Sequence, residues 1–220
     1  MIQQLRRDGS VIACPIALAW NGEVYLLSAD GATFVNLTNN PTDDAGPTWS
    51  PDGQKIAFSS TRGGRDHIFA MNADGSVPTQ LTSGDYFAIR PAWSPDGDKI
   101  AFVATSSGRS EVYVMNPDGS AITQLTTEHA TLPAWPPDGT RIAFTSLSSA
   151  AETHVSVMNA DGAEVTPLTT ESCSRYPSPP GRFQCTATPP IRDIRLAQPA
   201  PSSKGSWREM PNRPPSMRAR

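Results

Sequence analysis

Apolar and polar residues alternate here in runs of four to six, not in the longer stripes that build helices. From Lys55 to Ser60 the apolar side chains Ile56 and Phe58 fall on one side of an extended chain. Ile68, Phe69 and Met71 form a second such run, Thr79 to Thr82 a third, and Thr48-Trp49 precedes them. Between the runs stand turn sequences. In Pro51-Asp52-Gly53, Pro presets φ at the first corner, Asp tolerates the second, and Gly accepts positive φ. Asn72-Ala73-Asp74-Gly75 is a hairpin turn of the Asp-Gly kind. Residues 61–66 (TRGGRD) read as a polar glycine loop. The pattern predicts four short antiparallel strands joined by hairpins, with no helix of ten residues or more.

The pattern then repeats. PTWSPDGQKIAFSS starts at Pro47, PAWSPDGDKIAFVA at Pro91 and PAWPPDGTRIAFTS at Pro133. Each copy is followed in phase by a second signal: MNADGSVPTQLT from Met71, MNPDGSAITQLT from Met115 and MNADGAEVTPLT from Met158. A weaker copy of this second half, LSADGATFVNLT, begins at Leu27. A period of 42 to 44 residues, rich in strands and turn glycines, is how the blade of a β-propeller reads. The expected fold is all-β: an incomplete propeller of about three full four-stranded blades and one partial blade, forming an open arc. The blades are expected over about 16–46 (partial), 47–90, 91–132 and 133–170. A poorly defined segment, 1–15, precedes them.

Fixed positions in the repeat have structural work to do. Trp49, Trp93 and Trp135 recur in phase, as do Phe58, Phe102 and Phe144. Large rings at such positions fill the wedge between neighbouring blades, each burying on the order of 150–250 Å². Gly53, Gly97 and Gly139 end the first turn of each copy, and Gly75, Gly119 and Gly162 end the second. The carboxylates beside them (Asp52, Asp96, Asp138, Asp74, Asp118 and Asp161) read as turn formers, not metal ligands.

These residues resemble the TolB-type propeller repeat, also called WD40-like, whose hallmark is PxWSPDGxxIAFxSxRxGxxxIYxMNADGxxxxxLT. Residues 47–82 follow it almost throughout, and 91–126 and 133–169 nearly as well. The third copy departs at Pro136, where Ser is expected, and at Leu147 to Glu152, where the Arg-Gly loop is lost. The resemblance covers about three quarters of the chain. Similar repeats occur in TolB, in the propeller half of prolyl peptidases, and in sensor regions of bacterial kinases and regulators. The likeness therefore implies the fold strongly and the function loosely. It implies a non-catalytic scaffold that binds a protein or peptide. The alternatives are the gating propeller of a prolyl-peptidase-like hydrolase without its catalytic domain, and a bacterial sensor domain. A periplasmic or extracytoplasmic place follows only where a full-length form carries a signal peptide.

The two ends depart from the pattern. Residues 8–38 can be counted as a degenerate blade in which SVIAC replaces QKIAF. A simpler reading pairs Ile16 to Trp20 with Val24 to Leu27 around Asn21-Gly22. Residues 1–20 show neither the apolar run nor the cleavage site of a signal peptide, and no transmembrane segment is read. At the other end, residues 171–220 hold ten of the 22 prolines and nine of the 18 Lys and Arg, with three acids. This Pro/Arg-rich tail lacks the apolar periodicity to bury a core and reads as disordered or as frame-shifted. A fourth Pro-x-Trp-Ser-Pro-Asp-Gly is due near Tyr176 and does not arrive.

Candidate chemistry is thin. There is no Gly-x-Ser-x-Gly elbow, His-Glu-x-x-His pair, Walker loop or Gly-x-Gly-x-x-Gly. Cys14, Cys173 and Cys185 have no zinc spacing. His67, His129 and His154 are scattered, and nothing assembles a nucleophile, a base and an orienter. No cofactor and no metal are expected. Without interleaved aromatics and Lys-Arg clusters, no nucleic-acid partner is expected either. What remains is loop geometry. In a four-stranded blade, the loop from strand two to three and the connection to the next blade emerge on one face. Those loops are 39–46, 61–66, 83–90, 105–110 and 127–132. They carry Asp43, Asp44, Arg62, Arg65, Asp66, Asp85, Tyr86, Arg90, Arg109, Glu128 and His129. That charged, variable face is the expected binding surface for a protein or peptide. The unpaired faces of the outer blades are expected to favour self-association.

Overall fold

The computed structural model describes residues 4–5, 11–12, 15–147 and 153–169. Seventeen strands and no helix are found among them. A short hairpin pairs β1 (Gln4–Leu5) with β2 (Val11–Ile12). The first blade has three strands, β3 (Ile16–Trp20), β4 (Glu23–Leu27) and β5 (Phe34–Asn36). Three four-stranded blades follow. The second is β6 (Asp44–Trp49), β7 (Lys55–Ser60), β8 (His67–Asn72) and β9 (Thr79–Gln80). The third is β10 (Phe87–Trp93), β11 (Ile100–Ser106), β12 (Arg109–Met115) and β13 (Thr123–Gln124). The fourth is β14 (Ala130–Ala134), β15 (Arg141–Leu147), β16 (Thr153–Asn159) and β17 (Thr166–Pro167). All pairings are antiparallel between chain neighbours.

The first blade follows the simpler reading. Trp20 pairs with Glu23 around Asn21-Gly22, and both turn residues have positive φ, 51° and 75°. That is the two-residue turn whose twist matches a hairpin. The tail at 171–220 and most of segment 1–15 lie outside the described residues.

The turns of the second and third blades repeat atom for atom. In the second blade Gly53 N donates to Ser50 O, Ser50 Oγ donates to Asp52 Oδ1 at 2.6 Å, and Lys55 N donates to Ser50 Oγ. Ser94, Asp96 and Lys99 reproduce this set. The fourth blade has Pro136 in place of the serine, and Thr140 Oγ1 donates to Asp138 Oδ1 instead. The hydroxyl has moved across the turn, and the fold survives the departure from the repeat. The Asp-Gly turns are equally regular: Ser76 N, Ser120 N and Ala163 N each donate to the Asp two residues earlier. The Leu-Thr at the end of each repeat closes the blade. Thr38, Thr82, Thr126 and Thr169 all accept through Oγ1 from the strand-three N–H of Val24, Ile68, Val112 and Val155. Thr38 of the Asn-Leu-Thr sequence is thus a structural residue.

The core lies between blades. Val24 of the first blade packs with Ile56, Phe58, Phe69 and Met71 of the second. Ala57 and Ile68 of the second pack with Ile100, Phe102 and Met115 of the third. Ala101, Val112 and Val114 of the third pack with Ile142, Phe144 and Met158 of the fourth. Phe58, Phe102 and Phe144 are enclosed. Trp49, Trp93 and Trp135 stand one in each wedge, but each is only half-buried. They roof the clusters that the phenylalanines fill. Among the described residues the first and fourth blades share no packed pair of strands. The four blades form an open arc.

Candidate functional site

The sharp turns Ser50–Gly53 and Asn72–Gly75, with their copies, lie at one end of the blades, and the strand-two-to-three loops and inter-blade connections lie at the other. At the second end the loops are shorter than the sequence implies. The strands extend to include Asp44, Phe87, Ala88, Ile89, Arg90, Arg109, Ala130, Thr131 and Leu132. The third blade closes on the two-residue turn Ser107-Gly108, where Ser106 pairs with Arg109. The second blade keeps the longer loop 61–66. Connection and loop are tied together: Ala88 N donates to Asp66 O, Leu147 N to His129 O, and Thr61 N to Asp43 O.

The structure divides the expected binding residues into two groups. Asp43, Arg65, Asp85, Arg90, Arg109 and Glu128 are exposed, and Asp66 and Tyr86 are half-buried. Arg65 lies over the Phe87 ring, 5.3 Å from its centroid. Arg109 Nη2 donates to Thr127 O at 3.3 Å. Arg90 occupies a β-bulge with φ 58° and donates its N–H to Ser59 Oγ of the preceding blade. Asp44 and Arg62 do not belong to a solvated rim. Asp44 is 1% exposed, and Arg62 Nη2 reaches its Oδ2 at 2.8 Å. Asn40 Nδ2 donates to the same oxygen at 2.8 Å. Asp44 Oδ1 and Arg62 Nε are buried without a hydrogen-bond partner among the described residues. His129 is likewise not free in solvent. It is half-buried with φ 52°, and its N–H donates to Glu111 Oε1 at 3.1 Å.

Residues that sequence reasoning passed over complete this face. The strand-three residue just before the N–H that donates to the terminal Thr is Glu23, His67, Glu111 and His154 in successive blades. Glu111 Oε2 accepts from Thr126 Oγ1 at 2.7 Å. His67 Nδ1 lies 3.3 Å from Thr82 Oγ1. Glu23 accepts from Thr38 Oγ1 and from Asn40 N. Burial holds the His67 imidazole below its ordinary pKa, with Asp66 opposing that shift and Arg65 reinforcing it. The available signal was the phase: a charged or titratable residue always precedes the same Val or Ile of strand three.

The third blade also carries a cavity of about 520 Å³ on its side toward the second blade. Tyr86, Ser106, Arg109, Glu111, Tyr113 and Gln124 line it. The Tyr113 hydroxyl donates to Gln124 Oε1 at 3.0 Å, and its ring stacks on Phe102 with centroids 5.7 Å apart. Burial, and then the Glu111 charge, raise the Tyr113 pKa. Burial first, then Tyr113, does the same for Tyr86. Among the described residues no three His, Cys, Asp or Glu side chains converge as metal ligands, and no helix is long and apolar enough to cross a membrane.

Comparison with known proteins agrees with the blade geometry. The TolB beta propeller domain family matches residues 4–89 and 79–182. The chain belongs to the TolB β-propeller family. It is 39% identical over 56 residues to the protein TolB homolog of Chlorobium chlorochromatii, which covers 26% of this chain and 13% of that protein. A TolB-type structure from Agrobacterium tumefaciens superposes with a TM-score of 0.62 at 27% identity, over 75% of this chain and 63% of that one. A puromycin-hydrolyzing peptidase of Mycobacterium tuberculosis shares the fold at 17% identity, with a TM-score of 0.55 over 66% of this chain and 24% of the peptidase. This TolB propeller thus spans less than two thirds of the length of these relatives.

Proposed function

We propose that this TolB-type arc is a non-catalytic scaffold that binds a protein or peptide on the face built from the strand-two-to-three loops and the inter-blade connections. One observation carries the reading: the copies are uniform at one end and individual at the other. On the sharp-turn face each full blade uses its Asp carboxylates in internal bonds within the turn, from a Ser hydroxyl in the second and third blades and from the Thr140 hydroxyl in the fourth. On the loop face, equivalent positions hold Asp44, Ala88 and Ala130, and His67, Glu111 and His154. Packing requires the uniform set. A partner of defined shape and charge would be read by the individual set.

The peptidase likeness supports a second reading, a propeller that screens substrates for a hydrolase domain. The two differ in what they need, since a scaffold binds alone and a gate acts with a catalytic domain. Peptide-library selection on the full chain tests the first reading. Selected peptides are expected to bind at least tenfold more weakly to Asp85→Lys and Glu128→Lys, and equally well to Asp98→Lys on the opposite face. No enriched peptide, or peptides sensitive only to Asp98→Lys, would overturn it.

A further inference from the structure

Arg62 fills a space in the second blade that the third blade leaves open. Its guanidinium carbon lies 5.5 Å from the Phe58 ring centroid and 6.0 Å from that of Phe69. Its Nη2 meets the buried Asp44 carboxylate at 2.8 Å. The strand registers fix the counterparts in the third blade. Ser60 pairs with His67 as Ala104 pairs with Glu111, and Phe58 pairs with Phe69 as Phe102 pairs with Tyr113. Arg62 stands two residues beyond Ser60, and Ser106 stands two beyond Ala104. Where the second blade has a long cationic side chain, the third has a short neutral one. The 520 Å³ cavity lies there, bordered by Ala104, Ser106, Glu111 and Tyr113.

The chemistry of the space is kept while its occupant is gone. The Tyr113 ring borders the space, backed by the buried Phe102 ring on which it stacks. The carboxylate comes from the other side: Ala88 stands at the Asp44 position on strand one, and Glu111 stands at the His67 position on strand three. Glu111 is 6% exposed. Its oxygens each accept one protein hydrogen bond, from Thr126 Oγ1 and from His129 N. A carboxylate oxygen has room for a second. An aromatic face beside a buried carboxylate attracts a planar cation through the ring quadrupole and through charge. The fourth blade lacks this floor, since Ser156 occupies the Tyr113 position.

We propose that this cavity, on the third blade's face toward the second, is a receptor for an arginine side chain of a bound peptide. The incoming guanidinium sits on the Tyr113 ring, as Arg62 sits on Phe58 and Phe69, and takes Glu111 of strand three as its carboxylate where Arg62 takes Asp44 of strand one. Arg109, exposed and lining the same cavity, opposes a cation. Its charge moderates the affinity and gives the site a testable sign. This inference deepens the reading of the loop face as a peptide-binding surface.

The test uses the full chain with ring-labelled tyrosine, titrated with N-acetyl-arginine amide and followed by NMR. The Tyr86 and Tyr113 signals are expected to shift saturably. The neutral isostere N-acetyl-citrulline amide is expected to bind at least tenfold more weakly. Ser106→Arg, which supplies the missing side chain from within, is expected to abolish the shifts. Glu111→Gln is a second variant should Ser106→Arg fail to fold, and is expected to weaken binding at least tenfold. Arg109→Gln is expected to tighten it several-fold. Absence of a saturable shift, or equal binding of citrulline, would overturn the proposal. So would tighter binding of N-acetyl-glutamate amide that is lost in Arg109→Gln. Arginine binding without any selected peptide would sink the wider reading and leave the pocket standing. Selected peptides that contain no required arginine would do the reverse.

Discussion

Gly119 lies against Leu81 of the preceding blade, so close that a Cβ on the glycine would stand 2.5 Å from the leucine carbonyl oxygen. The same contact recurs between Gly75 and Leu37 and, more loosely, between Gly162 and Leu125. Two repeated motifs, the Asp-Gly turn and the terminal Leu-Thr, thus meet in space one blade apart. The glycine is a turn residue within its own blade and a contact surface for its neighbour.

Gly119→Ala is therefore expected to be more destabilising than Gly64→Ala. Both glycines have similar positive φ, 84° and 88°, so both substitutions carry backbone strain on the order of 1–3 kcal/mol. Gly64 has open space around it, whereas Gly119 faces backbone. Urea melts of the two variants measure the difference. Equal midpoint shifts would show that the blades part easily at this contact.

The three tryptophans are expected to respond differently to Phe. Trp135 Nε1 donates to Ala92 O of the third blade at 3.2 Å, while the indole nitrogens of Trp49 and Trp93 are buried without a hydrogen-bond partner among the described residues. Trp135→Phe should cost about 1 kcal/mol more than Trp93→Phe, the value of one net hydrogen bond. Trp93→Ala, by contrast, should cost roughly 3–5 kcal/mol. Chemical denaturation of the series checks the order.

Stability should fall as pH drops through and below about 6.5. His67 has a lowered pKa in the fold, so the unfolded chain binds its proton first and acid favours unfolding. His67→Gln keeps a polar partner near Thr82 and should flatten this part of the profile. Thermal melts between pH 5 and 8 on both proteins are the measurement. The turn carboxylates act lower. The Ser50 hydroxyl, then the Gln54 N–H, holds Asp52 below its ordinary value of 3.8. Their contribution is present above that value and is lost as pH falls through the lowered folded pKa.

Self-association is expected through the first blade. Trp20, Tyr25 and Phe34 form a ring cluster on one sheet face, Tyr25 and Phe34 stacked at 4.5 Å and Trp20 edge-on to both. Trp20 is 53% exposed and Phe34 48%. Val24, pointing to the other face, packs on the second blade, with Ala17 and Leu37 beside that cluster. An exposed aromatic face of this kind favours association. Sedimentation velocity of the full chain should show concentration-dependent growth, reduced by Trp20→Glu. A concentration-independent monomer would remove the expectation.

The blades, their order and nearly every turn were legible in the chain, because hairpins are local. Asp52-Gly53, Asp74-Gly75 and their copies set φ and register within a few residues, and alternation decides which side of a strand is apolar. Local pattern also placed the tryptophans in the wedges. It could not say that they roof the core while Phe58, Phe102 and Phe144 fill it, since enclosure depends on how far neighbouring sheets splay. The charged face was legible only as loops. Asp44 and Arg62 both read as exposed loop residues, but they meet across 18 positions of chain and desolvate one another. Ser106 read as an ordinary loop residue, and Glu111 and Tyr113 as ordinary strand residues. They border a cavity because the third blade lacks the arginine that occupies the same wedge in the second. The sequence by itself determined what each blade is. Only the packing of one blade on the next decided which of its residues share a space, because that space lies between sheets and belongs to no single repeat.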